Sequence, residues 1–212
     1  MGMGIISDVH GNMGKYTALT NRVDSSIQLG DMGVGFGSPD PVEELLKSGL
    51  VNPLNHRFFR GNHDNPSVCR TCPSYLGDWG YLGRQNVFFV GGASSIDRKL
   101  RTEGRDWWPD EEISNGEWAK MKYRYMITEP RFMITHDAPW SVCQAMFPEM
   151  KKKGCSLTQT ILQKLLEIHR PEFWFFGHWH KSKMMDIHGT RFRCLGVNEI
   201  FYVDEIPGFD NE

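Results

Sequence analysis

Nowhere does this chain approach the roughly 20 consecutive apolar residues that a membrane-spanning helix needs. Its first residues, Met1-Gly2-Met3-Gly4-Ile5-Ile6-Ser7, lack the basic region and long apolar run of a secretory leader. A soluble, cytoplasmic protein with no membrane partner is expected. Charge of one sign is also missing: 24 basic and 26 acidic residues leave a net charge of −2, so no global field recruits nucleic acid, although a local basic patch stays open. The five cysteines are odd in number and scattered, which excludes the disulfide framework of a small secreted domain and predicts reduced thiols. Cys69 and Cys72 have no second CxxC to complete a zinc site and do not open a thioredoxin-like helix, so they too read as ordinary thiols. Internal repeats and low-complexity tracts are absent despite 22 glycines, and 212 residues at 40% hydrophobic can bury a substantial core. One domain spanning 1–212 is expected.

What is present is a series of short apolar runs, each stopping at polar, metal-capable residues. Met3 to Ser7 reads as a buried strand running into Asp8-Val9-His10. In extended geometry Asp8 and His10 would point to one side and converge on a cation. Asn12 suits the cap of a helix from Lys15 to Arg22. Ser25 to Leu29 is a second strand, ending at Gly30-Asp31; the glycine loop 33–37 beyond it lacks the GxxxxGK[ST] order of a nucleotide-binding loop. Pro41 to Ser48 reads as a helix closed by Gly49. The run Arg57-Phe58-Phe59-Arg60 stops at Gly61-Asn62-His63-Asp64, and ligands in open α/β sheets bind where strands end.

Asn65 to Gly83 reads as a surface excursion and Asn86 to Gly92 as a strand. The polar, positively biased stretch from Asp97 to Trp107-Trp108-Pro109, with a helix expected from Glu111 to Tyr125, reads as a lid insertion around 95–130. Arg131 to Thr135 is a strand ending at His136-Asp137, and Leu157 to His169 an amphipathic helix. Phe173-Trp174-Phe175-Phe176 enters Gly177-His178-Trp179-His180, and a hairpin turns at Gly189-Thr190. Lys151-Lys152-Lys153 reads as a solvated loop and the tail from Asp204 as frayed. Of eight histidines, five lie in the strand-end motifs; His56, His169 and His188 carry ordinary structural readings.

Taken together, Asp8-x-His10, Gly30-Asp31, Gly61-Asn62-His63-Asp64, Thr135-His136 and Gly177-His178-x-His180 resemble the calcineurin-like metallophosphoesterase superfamily over residues 3 to about 200. The resemblance implies an α/β (α+β) fold, a two-layered mixed β-sandwich flanked by helices, with two divalent transition-metal ions at the carboxyl ends of its strands. It implies that Asp8, His10, Asp31 and His180 hold the first ion, that Asn62, His136 and His178 complete the second, and that Asp31 bridges. Such mixed donors suit manganese, named first here, or iron, zinc or nickel. The implied activity is hydrolysis of phosphate esters by a metal-bridging hydroxide. His63 would act as general acid and Asp64 would orient it and support its charged form.

The chain departs from the protein Ser/Thr phosphatases of that superfamily, which carry arginines soon after the GD motif and just after GNHE. Here Asp31 is followed by Met32-Gly33 and Asp64 by Asn65-Pro66. Arg98, Arg101 and Arg105 are the candidates to supply a bidentate phosphate contact instead. The expected reaction is that of a phosphomonoesterase acting on a small phosphorylated molecule or a phosphoprotein. A phosphodiesterase or nuclease of the same superfamily is the alternative, and a non-catalytic metal-binding scaffold a third reading, against which the full motif set argues.

Overall fold

Strands of three to five residues and helices of four to twelve build this chain, and a computed structural model describes its residues 2–36, 40–150 and 154–205. Along the first half run β1 (Met3–Ile6), α1 (Met13–Thr20), β2 (Ser25–Gln28), α2 (Pro41–Ser48), β3 (His56–Phe58), α3 (Pro66–Cys69), β4 (Trp79–Leu82) and β5 (Val87–Val90). The second half adds α4 (Trp118–Thr128), β6 (Phe132–Thr135), α5 (Trp140–Met146), α6 (Leu157–Ile168), β7 (Phe173–Phe176), β8 (Lys183–Ile187), β9 (Thr190–Cys194) and β10 (Ile200–Tyr202). They form one sheet in the order β10-β1-β2-β3 and a second in the order β4-β5-β6-β7-β9-β8, both mixed.

The apolar runs are continuous because both faces of each sheet are covered. Alternation along the strands then sorts side chains into layers. Ile5 and Ile27 of the first sheet meet Val87, Phe89, Phe132, Ile134 and Phe175 of the second, filling the space between the sheets. The alternate residues Phe88, Val90, Met133, Trp174 and Phe176 face away, against Met121 and Tyr125 of α4, Val142 of α5 and Leu162 and Leu165 of α6. On the other side Ile6 and Phe58 pack with Tyr16, Leu19, Val42 and Leu45 of α1 and α2. The result is a two-layered sandwich with helices on both outer faces.

Local signals place the helix ends. The Asn12 side chain accepts from Lys15 N at 3.1 Å to start α1, and Asp40 accepts from Val42 N at 2.8 Å ahead of Pro41 in α2. Gly49 closes α2 at φ 71°. Ser156 and Gln159 form a capping box on α6.

Other segments depart from the expectations. The stretch 65–83 is no mere excursion: it holds α3, fully buried Cys69 and β4, which pairs antiparallel with β5. Helix α4 starts at Trp118, seven residues after Glu111, because Glu111 is buried among loop contacts instead of entering a first turn. Both Trp107 and Trp108 are buried; Trp108 stands edge-on to Phe36 with ring centroids 5.2 Å apart, and Trp107 lies under the Arg98 guanidinium. β10 was not visible in the sequence pattern and returns antiparallel beside β1, Ile6 opposite Ile200. Gly37, the lysines at 151–153 and the tail beyond Glu205 lie outside the described residues.

Candidate metal centre

β1, β2, β3, β6 and β7 deliver their carboxyl ends to one place between the two sheets, and each is followed by side chains of the strand-end motifs. The backbone does not reach them in extended geometry. Asp8, His10, Asp31, His178 and His180 have φ of 45°, 49°, 55°, 66° and 53°, a left-handed conformation that L-residues adopt at a cost of about 1–2 kcal/mol each. Asp8 and His10 converge through this turn, not through strand alternation, which corrects the expectation. Strained backbone of this kind gathers where a site holds it in place. The bare glycines make room: a Cβ on Gly61 would lie 2.2 Å from Asp31 Oδ1, and one on Gly177 would lie 2.4 Å from Asp8 Oδ2.

Two groups of donors result. In the first, ligand atoms of Asp8, His10, Asp31 and His180 all lie within 4.8 Å of one another. The Nε2 atoms of His10 and His180 face each other at 2.9 Å, and Asp8 Oδ1 is 3.5 Å from His180 Nε2. In the second, Asp31, His136 and His178 meet the same criterion. Asn62 Oδ1 and Asp31 Oδ1 each lie 3.2 Å from His136 Nε2. His136 Nδ1 sits 2.7 Å from the Leu29 carbonyl, so that nitrogen donates there and Nε2 is the ring atom that faces the group. Asp31 belongs to both groups, and its Oδ2 is buried with no hydrogen-bond partner.

Charge says the same. Burial works against ionised Asp31, but His136, His63 and His10 hold its carboxyl well below the usual range. Burial likewise opposes a charged His136, yet Asp31, with Asp8 and the Leu29 carbonyl, pushes its pKa up to about 10. The buried carboxylates converging here favour positive charge, which the protonated His136 ring supplies and which a divalent cation in its place would supply. Imidazole and carboxylate donors in fours and threes fit first-row transition metals.

Above the groups opens a cleft of about 450 Å³ lined by His10, Asp31, Asn62, His63, Arg101 and His180, among others. His63 reaches it at the rim, its ring edge-on to His10 with centroids 5.0 Å apart. Arg101 nitrogens lie 3.0 and 2.9 Å from the two ring nitrogens of His63, and the same guanidinium holds Asp97 at 2.7 Å. Burial first, opposed by Asp31 and aided by Arg101 and the neighbouring histidines, brings the His63 pKa down to about 4.

Not every predicted residue gathers here. Arg98 covers Trp107, 4.0 Å from the ring centroid, and Arg105 is exposed; neither lines the cleft. Asp64 does not orient His63. Its carboxylate accepts from the backbone N–H groups of Gly61, Met32, Gly33 and Val34 at 2.7–3.2 Å, which occupies both oxygens. It ties the loop after β2 to the loop after β3, and so fixes Asp31 relative to Asn62.

Two residues near the centre went unread in the sequence. Asn62 Nδ2 donates to Ser95 Oγ at 3.0 Å, and Glu111 accepts from both the hydroxyl and the N–H of Ser95. Ser95 follows the end of β5, so the strand-end rule had pointed near it. Glu111 lies in a loop 16 positions on and gives no local signal.

Against known proteins, a family model described as calcineurin-like phosphoesterase matches residues 1–182. Among solved structures, the chain superposes on a protein from Thermus thermophilus with a TM-score of 0.52 at 14% identity, covering 93% of this chain and 91% of that one. It superposes on a dimetal phosphatase from Danio rerio with a TM-score of 0.56 at 14% identity, covering 92% and 87%. At these identities the likeness shows a shared fold. No curated protein matches the sequence. No helix among the described residues is long and apolar enough to cross a membrane.

Proposed function

This chain belongs to the calcineurin-like phosphoesterases, and from that premise we propose that it is a two-metal phosphatase cleaving phosphate monoesters in the cytoplasm. The observation that carries the reading is the pair of donor groups sharing Asp31 at the floor of a cleft whose rim holds His63 and Arg101. Asp8, His10, Asp31 and His180 would hold one ion, and Asp31, Asn62, His136 and His178 the other, with manganese the first candidate and iron, zinc or nickel next. When bound, such a pair makes water nucleophilic near neutral pH and neutralises a phosphoryl oxygen during in-line displacement.

The chain's own residues supply the rest. The Arg101 guanidinium is built for two phosphoryl oxygens. In the cleft it lies on His63 and, with burial, keeps that ring neutral. A phosphate anion draws Arg101 away and puts negative charge beside the imidazole, which then favours its protonated form. His63 gives that proton to the leaving oxygen. Substrates of this kind are small phosphorylated molecules or phosphoproteins.

A second reading, diester cleavage, draws on one observation: a cavity of about 570 Å³ adjoins the cleft, sharing Ile96, His178 and Trp179 with it, and has Lys99 on its wall. It has room for a second ester substituent. After chelation, Mn²⁺, Ni²⁺, Zn²⁺ and Mg²⁺ are returned singly and hydrolysis of p-nitrophenyl phosphate is compared with that of bis-p-nitrophenyl phosphate. Faster turnover of the monoester is expected. Preference for the diester replaces the first reading by the second, and silence on both substrates with every metal leaves a non-catalytic scaffold.

A further inference from the structure

Asparagine coordinates a cation only through its oxygen, and nothing in the carboxamide's shape prevents it from turning its NH₂ inward instead. In this chain the choice is made two residues away. Asn62, Ser95 and Glu111 are all at least 95% buried and form a chain of hydrogen bonds: Asn62 Nδ2 to Ser95 Oγ at 3.0 Å, then Ser95 Oγ to Glu111 Oε2 at 2.5 Å. Ser95 N also donates to Glu111 Oε1 at 2.9 Å, which fixes the rotation of the carboxylate.

A carboxylate only accepts. The Ser95 hydroxyl has one proton, so giving it to Glu111 leaves only lone pairs for Asn62. Asn62 must then present its NH₂ to Ser95 and its Oδ1 to His136. We infer that Glu111, acting through Ser95, is a positioning residue that sets the orientation of the Asn62 amide and thereby the affinity of the second donor group. Partners in the outer layer of a metal site commonly change affinity in this way. The inference rests on the two-metal reading.

The logic makes the isosteric change the harmful one. In Glu111→Gln the side-chain oxygen stays with Ser95 N, and its NH₂ takes the place of Oε2 and donates to Ser95 Oγ. The hydroxyl proton then points at Asn62, which meets it with oxygen and turns NH₂ toward the metal position. Ser95→Ala breaks the chain without reversing it, so Asn62 can still turn its oxygen inward. Ser95→Thr keeps the hydroxyl and should restore the wild-type behaviour.

The test adds Mn²⁺ to the metal-free chain, measures two binding constants by calorimetry, and follows the spin-coupled manganese pair by electron paramagnetic resonance. Glu111→Gln should weaken the second ion about 10–100-fold with the first unchanged, and replace the coupled spectrum by a mononuclear one. Ser95→Ala should fall between Glu111→Gln and wild type. Circular dichroism and the melting temperature of each metal-free variant report folding separately, and a merely structural role would weaken both ions together or rank Ser95→Ala below Glu111→Gln. Equal second-ion affinity in wild type and a folded Glu111→Gln overturns the inference alone. A wild-type chain that takes up fewer than two ions overturns the two-metal reading and the inference with it.

Discussion

The two donor groups share Asp31 but differ in how firmly their other members are held. In the first, His10 and His180 stand at the cleft mouth with side chains 28% and 47% exposed, their Nε2 atoms facing each other. In the second, His136 is fully buried and pinned by the Leu29 carbonyl, while Asn62 is held from behind by Ser95. The histidines of the first group face solvent in front of a buried Asp8, whereas His136 and Asn62 of the second are held from behind. The difference teaches that the shared carboxylate joins a rigid half to an adaptable one, and each half can be disturbed separately.

The largest effect should come from removing what the halves share. Asp31→Ala should lose both ions and, with them, the whole metal-dependent rate, measured as metal stoichiometry by elemental analysis beside turnover; retention of two ions would sink the shared role. Next, His63→Ala should lower turnover of poorly activated monoesters about 10²–10⁴-fold while leaving stoichiometry unchanged. Loss of the ions as well would show that His63 belongs to a donor group and not to the proton.

Partial chelation should then separate the halves. The solvent-facing group should release its ion first, giving a mononuclear manganese spectrum before any metal-free protein appears; simultaneous loss of both erases the contrast. Full removal of the metals should lower the melting temperature, since ligand at 100 times its Kd contributes about 2.7 kcal/mol of stability. A melting temperature indifferent to chelator would contradict it. The smallest effect concerns the rim: Arg101→Ala should raise KM for a phosphomonoester, whereas Arg105→Ala, exposed and away from the cleft, should leave kcat/KM unchanged. Equal losses in both variants would return the phosphate contact to the wider arginine cluster.

The same contrast decides what was legible in the sequence. The donors could be read because each follows a short apolar run and a glycine or polar turn, so the pattern repeats at β1, β2, β3, β6 and β7. The buried alternation of Phe88 and Phe89 across two cores follows from strand period alone. Where the reading failed, neighbours in sequence stood in for neighbours in space. The resemblance implies that Asp64 orients His63, but four backbone N–H groups fill its carboxylate. The Glu111 contact to Ser95 joins two loop residues with no period to announce it. Composition alone groups Arg98 and Arg105 with Arg101 and cannot say that one covers a tryptophan and another faces water.

The Asp64 carboxylate has one more consequence. Its bond to Gly33 closes a loop of 31 positions, whereas the contact of His136 with Leu29 spans 107. Loop-closure entropy rises about 0.6 kcal/mol per doubling, so the longer closure is costlier by about 1 kcal/mol. The joint between Asp31 and Asn62 is therefore inexpensive, local and internal to the first third of the chain. Neither donor group is complete without the second half of the chain, because His136, His178 and His180 lie there.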